Sequence, residues 1–220
     1  MKKTGLVLFL LLGAMTMQAG ELISYTNISI WNQGSRNTSR QGSALATSSG
    51  RVFSLLNVIN RTDPYDIDFM AAFAKTDRRR GQESQLLFAP GNPEVRNIDW
   101  NRQRGTLPFC LMEATASGEV DEEASLRGWD VRNETRMQRV TGIDFENATY
   151  EMIAALNPAG FWVTNIQPGD IIAFETASTS KNPNKKGLIQ VLSINDNPDR
   201  PERIGQGGFQ GMTLNITMQK

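Results

Sequence analysis

Residues 170–194 read DIIAFETASTSKNPNKKGLIQVLSI, two apolar, β-branched runs around a tract of Ser, Thr, Lys, Asn and Pro. This stretch constrains the fold more than any other part of the chain. Each run reads as a strand, and the residues between them as the turn of a hairpin. The arms Asp170 to Phe174 and Leu188 to Leu192 are apolar on both faces over much of their length. A strand of that kind must be covered on two sides, so the pair belongs inside a layered β structure and not at an open edge. The intervening tract, about a dozen residues, is longer than a tight hairpin turn. Pro183 and Gly187 supply turn chemistry, and the tract is expected to be an elongated, mobile loop. Its Lys181, Lys185 and Lys186 have no aromatic residues interleaved, which argues against a nucleic-acid surface.

The first 19 residues have the form of a secretory leader: Met1-Lys2-Lys3, then an apolar run from Gly5 to Met15. That run is too short for a membrane span, which takes roughly 20 apolar residues. Cleavage is expected after Ala19, although Met17 is larger than the usual residue at that distance. No Cys follows the leader to carry a lipid. The expectation is a chain in the periplasm or outside the cell, with residues 20–220 forming one domain. Removal of Lys2 and Lys3 leaves 21 basic against 23 acidic residues, a net charge of −2. That balance steers the molecule to neither nucleic acid nor an anionic membrane. The one basic run, Lys75 to Arg80, reads as a solvated loop.

The chain contains no His. Ser-His-Asp and Cys-His catalysis and His-ligated zinc are therefore excluded. A single Cys excludes an internal disulfide, so the hydrophobic core must provide the stability. Cys110, in the apolar run LPFCLM, reads as a buried structural thiol, because no imidazole is present to activate it.

The remainder alternates short strands with polar turns. Ser24 to Trp31 alternates Tyr25, Asn27, Ser29 and Trp31 against Thr26, Ile28 and Ile30. Asn32 to Gly50 reads as a long loop, followed by strand signals at 51–58, 67–74 and 86–89, a Pro90-Gly91 turn, and an apolar segment at 107–112. Helices are expected over 119–127 and 148–156, the second with Asn147 as a possible N-cap and Asn157-Pro158 as its stop. Phe161 to Ile166 and Met212 to Met218 read as strands, with Asn195 to Arg203 as a loop. The fold class is mainly β: one antiparallel, jelly-roll-like β-sandwich with one or two short helices.

Once the strands are laid out, SSGRVFSLLNV, DIDFMAAF, LLFAPGN, the GDIIAFETA…KKGLIQVLSI hairpin and the terminal LNITMQK are similar to a pattern in uncharacterised secreted domains of Bacteroidetes-type Gram-negative bacteria. Two features depart from it: Glu175 and Gln190 stand where those domains tend to carry Lys, and the hairpin loop is longer. The resemblance implies a compact β-sandwich-like module and no known activity.

Several constellations could carry chemistry. Asp63, Asp66 and Asp68 could offer oxygens to Ca²⁺, but their spacing matches no calcium loop, and Asp63-Pro64 also reads as a turn. Asn195, Asn197 and Asp199 begin like a calcium loop but lack its Gly and closing Glu. Ser178 to Lys181 matches S-x-x-K without the companion motifs or the helix start that chemistry needs. Paired carboxylates could hydrolyse glycosides without His, with Glu113, Glu119, Asp121, Glu122, Glu123, Asp130, Asp144 and Glu146 as candidates.

Of the four Trp residues, Trp162 reads as core and Trp31 could face either way. Trp100, near Arg102, and Trp129, beside Asp130, stand among polar and charged groups. An exposed indole flanked by such groups suits a sugar ring; the structural alternative is that each Trp plugs a sandwich edge while its polar neighbours face water. The resulting expectation is a secreted or periplasmic, non-enzymatic module that binds a glycan or an envelope protein through Trp100, Arg102, Trp129 and Asp130. It has no catalytic residues, metal or cofactor. The alternatives are a carboxylate-dependent glycoside hydrolase and a structural subunit of an envelope assembly.

Overall fold

The computed structural model describes residues 20–32, 42–53, 64–75, 83–92, 110–111, 132–196 and 210–220. These residues form two antiparallel sheets packed face to face, a β-sandwich.

Sheet A contains β1 (Leu22–Trp31), β7 (Arg136–Val140), β9 (Ile171–Glu175), β10 (Lys186–Asp196) and β11 (Gln210–Gln219), in the order β1-β11-β10-β9-β7. Sheet B contains β2 (Ala44–Ala46), β3 (Arg51–Phe53), β4 (Phe69–Lys75), β5 (Glu83–Phe88) and β8 (Trp162–Thr164), in the order β3-β2-β4-β5-β8. The two-residue β6 (Cys110–Leu111) pairs with the far end of β4. The segment leading into β8 connects the layers: Gly160 bridges Met137 of sheet A, and the next residues pair with β5 of sheet B.

The expected hairpin is β9 and β10, in register from Lys186↔Glu175 to Gln190↔Ile171. It lies inside the sheet, flanked by β7 and β11. The structure also explains why its arms are apolar on both faces. Ile172, Phe174, Ile189 and Val191 point into the core between the sheets. Ala173 and Leu188 point the other way and are buried beneath Ile153 of the helix α1 (Tyr150–Ala154), with Val140, Phe145 and Ile171 around them. The 148–156 signal thus produces a helix that covers part of the outer face of sheet A. Its N-cap is Thr149, whose hydroxyl accepts from the Met152 N–H, and not Asn147, which donates to Asp144 instead.

At the centre of the core, Phe69 of β4 meets Phe174 of β9 edge-to-face, with ring centroids 5.1 Å apart. Gly187 lies opposite Phe174 in the hairpin register, and a Cβ there would come within 2.4 Å of the ring. The missing side chain makes room for the aromatic one.

β1 does not keep the simple alternation its sequence implies. Its pairing with β11 shifts between Tyr25 and Ile28, and Asn27 adopts φ 55°, a left-handed conformation that Asn tolerates. The bulge places Ile23 and Tyr25 on the same face as Ile28 and Ile30, all against the core, and leaves Thr26 exposed. Two strands fall outside the sequence expectations. β2 lies within the stretch read as a loop, with all three residues fully buried, and β7 carries one buried residue, Met137, among polar neighbours. β10 continues to Asp196, into the stretch assigned to a loop. Trp162 is half-buried, so the core residue of β8 is Val163. The helix expected over 119–127 lies outside the described residues.

Candidate functional site

Among the described residues, polar side chains gather at a buried junction, on an open sheet face, and in a chain from Asn32 through Gln85 and Gln210 to Asp196. The first is a junction where three separate segments, residues 47–48, 133 and 179–181, meet the Pro64–Asp66 turn and the Asp68 that follows it. Asp68 is fully buried. Its Oδ2 accepts from the Thr47 N–H at 3.2 Å and from the Thr47 hydroxyl at 2.5 Å. Its Oδ1 accepts from Asn133 Nδ2 at 3.3 Å, and the Ser180 side chain donates as well. Asp66 accepts from the Ser48 hydroxyl and, at 3.4 Å, from Lys181 Nζ. The Asn133 amide also donates to the carbonyls of Tyr65 and Ile67, at 2.8 and 2.9 Å, and its oxygen accepts from Thr179 at 3.0 Å.

This geometry decides three sequence expectations. Asp68 is surrounded by donors and Asp66 holds an ammonium group, the reverse of the oxygen cage Ca²⁺ requires. Asp63 lies outside the described residues. Ser178 to Lys181 forms turns in the hairpin loop, not a helix start, and Lys181 is committed to Asp66 and, through its N–H, to the Tyr65 carbonyl. The loop expected to be mobile is tied at both levels. Thr176 and Lys185 bond each other across its neck, and Thr179, Ser180 and Lys181 bond the junction.

Burial pushes the Asp68 carboxyl up from 3.8 to about 6, against the lowering effect of its Thr47 and Ser180 hydrogen bonds. Because the folded value is the higher one, the fold favours the protonated form. The contribution is full below the unfolded value and is lost as pH rises through about 6. A shift of that size corresponds to about 3 kcal/mol in total. The melting temperature of Asp68→Asn, which cannot ionise, is therefore expected to rise relative to wild type between pH 4 and 7.5. Parallel pH profiles for the two proteins would show that the titration has no such effect.

The open place is the part of sheet A's outer face that α1 leaves uncovered. On β11, Met212, Leu214, Ile216 and Met218 face the core, so Gly211, Thr213 and Asn215 face outward. On β1, Ser29 and Trp31 alternate outward from the buried Ile28 and Ile30. Trp31 pairs with Gly211, and a Cβ on Gly211 would come within 2.7 Å of the indole, so the ring lies across the glycine backbone. Gly211 is in turn paired with Asn195 of β10.

From there the polar groups are linked across the strands. Ser193 donates to Asn195 Oδ1 at 2.8 Å, and Asn195 Nδ2 donates to the Thr213 hydroxyl at 2.7 Å. Asn215 Nδ2 donates to Gln190 Oε1 at 3.1 Å, and the Asn27 N–H donates to Asn215 Oδ1 at 3.0 Å. These residues are half-buried or exposed, and none carries a charge. β1 and β10 both bulge beside this part of β11, which shifts the side chains on either side of it.

Trp100, Arg102, Trp129 and Asp130 lie outside the described residues, as do Glu113, Glu119, Asp121, Glu122 and Glu123. The Gly91 N–H donates to the Asn133 carbonyl at 2.9 Å, which joins the turn after β5 to the residues before β7. Asp144 and Glu146 are exposed, and Asp144 accepts from the Glu146 N–H and from Asn147 in the turn before α1. Those bonds hold its carboxyl below the usual range.

Fold and site together define a two-sheet antiparallel β-sandwich with a helix over part of one outer face and an uncharged polar patch beside it. The solved structure of a DUF4466 family protein from Parabacteroides merdae ATCC 43184 has a similar fold, with a TM-score of 0.51 at 11% sequence identity. The match covers 91% of this chain and 54% of that one, so this chain spans about half the length of its neighbour. The source agrees with the resemblance to uncharacterised Bacteroidetes-type domains. No protein-family model and no curated protein matches the sequence.

Proposed function

We propose that this chain is a periplasmic or extracellular, non-enzymatic module that binds a glycan. The observation that carries the reading is the part of sheet A's outer face that α1 leaves uncovered, where an indole lies beside two hydrogen-bonded sets of hydroxyl and amide groups with no charge in either. Sugars present apolar ring faces and many hydroxyls, and such a surface offers a partner for each. Export rests on the leader-like residues 1–19. Trp100, Arg102, Trp129 and Asp130 would add a second contact surface.

A polysaccharide array tests the reading. Wild-type protein should be retained on at least one polymer, and Trp100→Ala or Trp129→Ala should weaken that retention if their segment contributes. Retention on none would end the glycan reading. Protein recovered from the periplasm or medium should begin at Gly20, and recovery of the intact leader from the cytoplasm would overturn the assignment of compartment.

A further inference from the structure

Resting on the glycan reading above, we propose that the ligand is a neutral, extended polysaccharide lying along β11 on the outer face of sheet A, with one sugar ring on Trp31 and the chain crossing Thr213, Asn195, Asn215 and Gln190. The argument begins with Gly211. At any other residue type the outward Cβ would collide with Trp31, at 2.7 Å, and the indole would have to lift off the sheet. With glycine there, the indole packs directly over the strand backbone, and an aromatic ring set against a sheet surface in this way is a platform for a sugar's C–H face.

The second element is direction. Thr213 and Asn215 alternate with the buried Leu214 and therefore share one face of β11, and Asn195 and Gln190 flank them on β10. From Gly211 to Asn215 this row extends about 14 Å along the strand, long enough for two or three linked sugars, and it ends at the buried Thr217. The third is charge. The row's donors and acceptors are hydroxyls and carboxamides bonded to one another, at 2.7 Å for Asn195 with Thr213 and 3.1 Å for Asn215 with Gln190. A uronate or sulfate on the ligand would lose hydration against this row, which holds no cation among its described residues, whereas a neutral hydroxyl can join the existing bonds. The surface thus selects for a neutral chain.

Affinity electrophoresis in gels containing barley β-glucan, xyloglucan, galactomannan, polygalacturonate or heparin tests this. Wild type should be retarded by at least one neutral polymer and by neither acidic one. Trp31→Ala and Asn195→Ala should each weaken that retardation at least tenfold, while Met152→Ser, on exposed α1, should leave it unchanged. Thr213→Glu, which places a charge in the row without removing the platform, should also abolish it; circular dichroism would confirm that each variant is folded. If Trp100→Ala or Trp129→Ala abolishes binding while the sheet variants retain it, the glycan reading stands and this location is wrong. Retardation by the acidic polymers alone would overturn the neutral-ligand assignment. No retardation by any polymer would remove both.

Discussion

Phe174→Ala is expected to destabilise the protein by about 3–5 kcal/mol, the range for truncating a buried Phe. Phe174 is fully buried and joins the two sheets through its edge-to-face contact with Phe69. The cavity would open at the centre of the sandwich, where paired strands on both sides limit collapse. For a chain of this length the corresponding fall in melting temperature is roughly 10 °C. Gly187→Val should be destabilising for the opposite reason. Its side chain would enter the space of the Phe174 ring, with the first atom already 2.4 Å from it and 2.7 Å from the Met218 Cβ. Overpacking of this kind costs about 1–3 kcal/mol. Because the two positions share one space, Gly187→Val should cost less in a Phe174→Leu background than alone. Urea denaturation of wild type, Gly187→Val, Phe174→Leu and the double variant measures the coupling, and Phe174→Ala is measured alongside them. Additive effects, or a loss below about 1 kcal/mol for Phe174→Ala, would show that this contact does not govern the packing.

The second large effect is expected at Asn133. Its amide is fully buried and serves the carbonyls of Tyr65 and Ile67, the Asp68 carboxylate and the Thr179 hydroxyl. Asn133→Ala removes one partner and leaves the others without water to replace it, at an expected cost of about 2–4 kcal/mol. Asn133→Asp keeps the shape but sets an acceptor against two carbonyls and Asp68, and should be at least as damaging at neutral pH. The loss should appear locally too. Amides of residues 179–181 should exchange faster in Asn133→Ala than in wild type, because the hairpin loop loses one of its ties to the Pro64–Asp66 turn. A variant within 0.5 kcal/mol of wild type, with unchanged exchange there, would mean the junction does not hold the loop.

Where local pattern and burial agreed, the elements could be read in advance. The hairpin arms of β9 and β10, the terminal β11, and β4 and β5 are apolar runs bounded by turn residues, and each lies where its sequence implies. β2 carries no such mark. Ala44-Leu45-Ala46 is too short to show a period and is rich in a helix former; it is a strand because β3 and β4 pair with its two sides. The bulge at Asn27 is equally invisible. It comes from matching two long strands whose core-facing residues are out of phase, and a period-2 reading assigns Tyr25 to the wrong face. Thr149 displaces Asn147 as N-cap because Asn147 is already used in the Asp144 turn.

The sequence by itself determined the fold class, the absence of imidazole and disulfide chemistry, and the interior place of the 170–194 hairpin. Those depend on composition and on periods a few residues long. Only the tertiary structure decided which polar residues share a surface. Trp31 and Gly211 are far apart along the chain, and Asp68 is distant from Asn133 and Ser180; antiparallel pairing and sheet packing bring each set together. A half-polar strand can turn either face to solvent, and the energy that chooses between them lies in the partner strand.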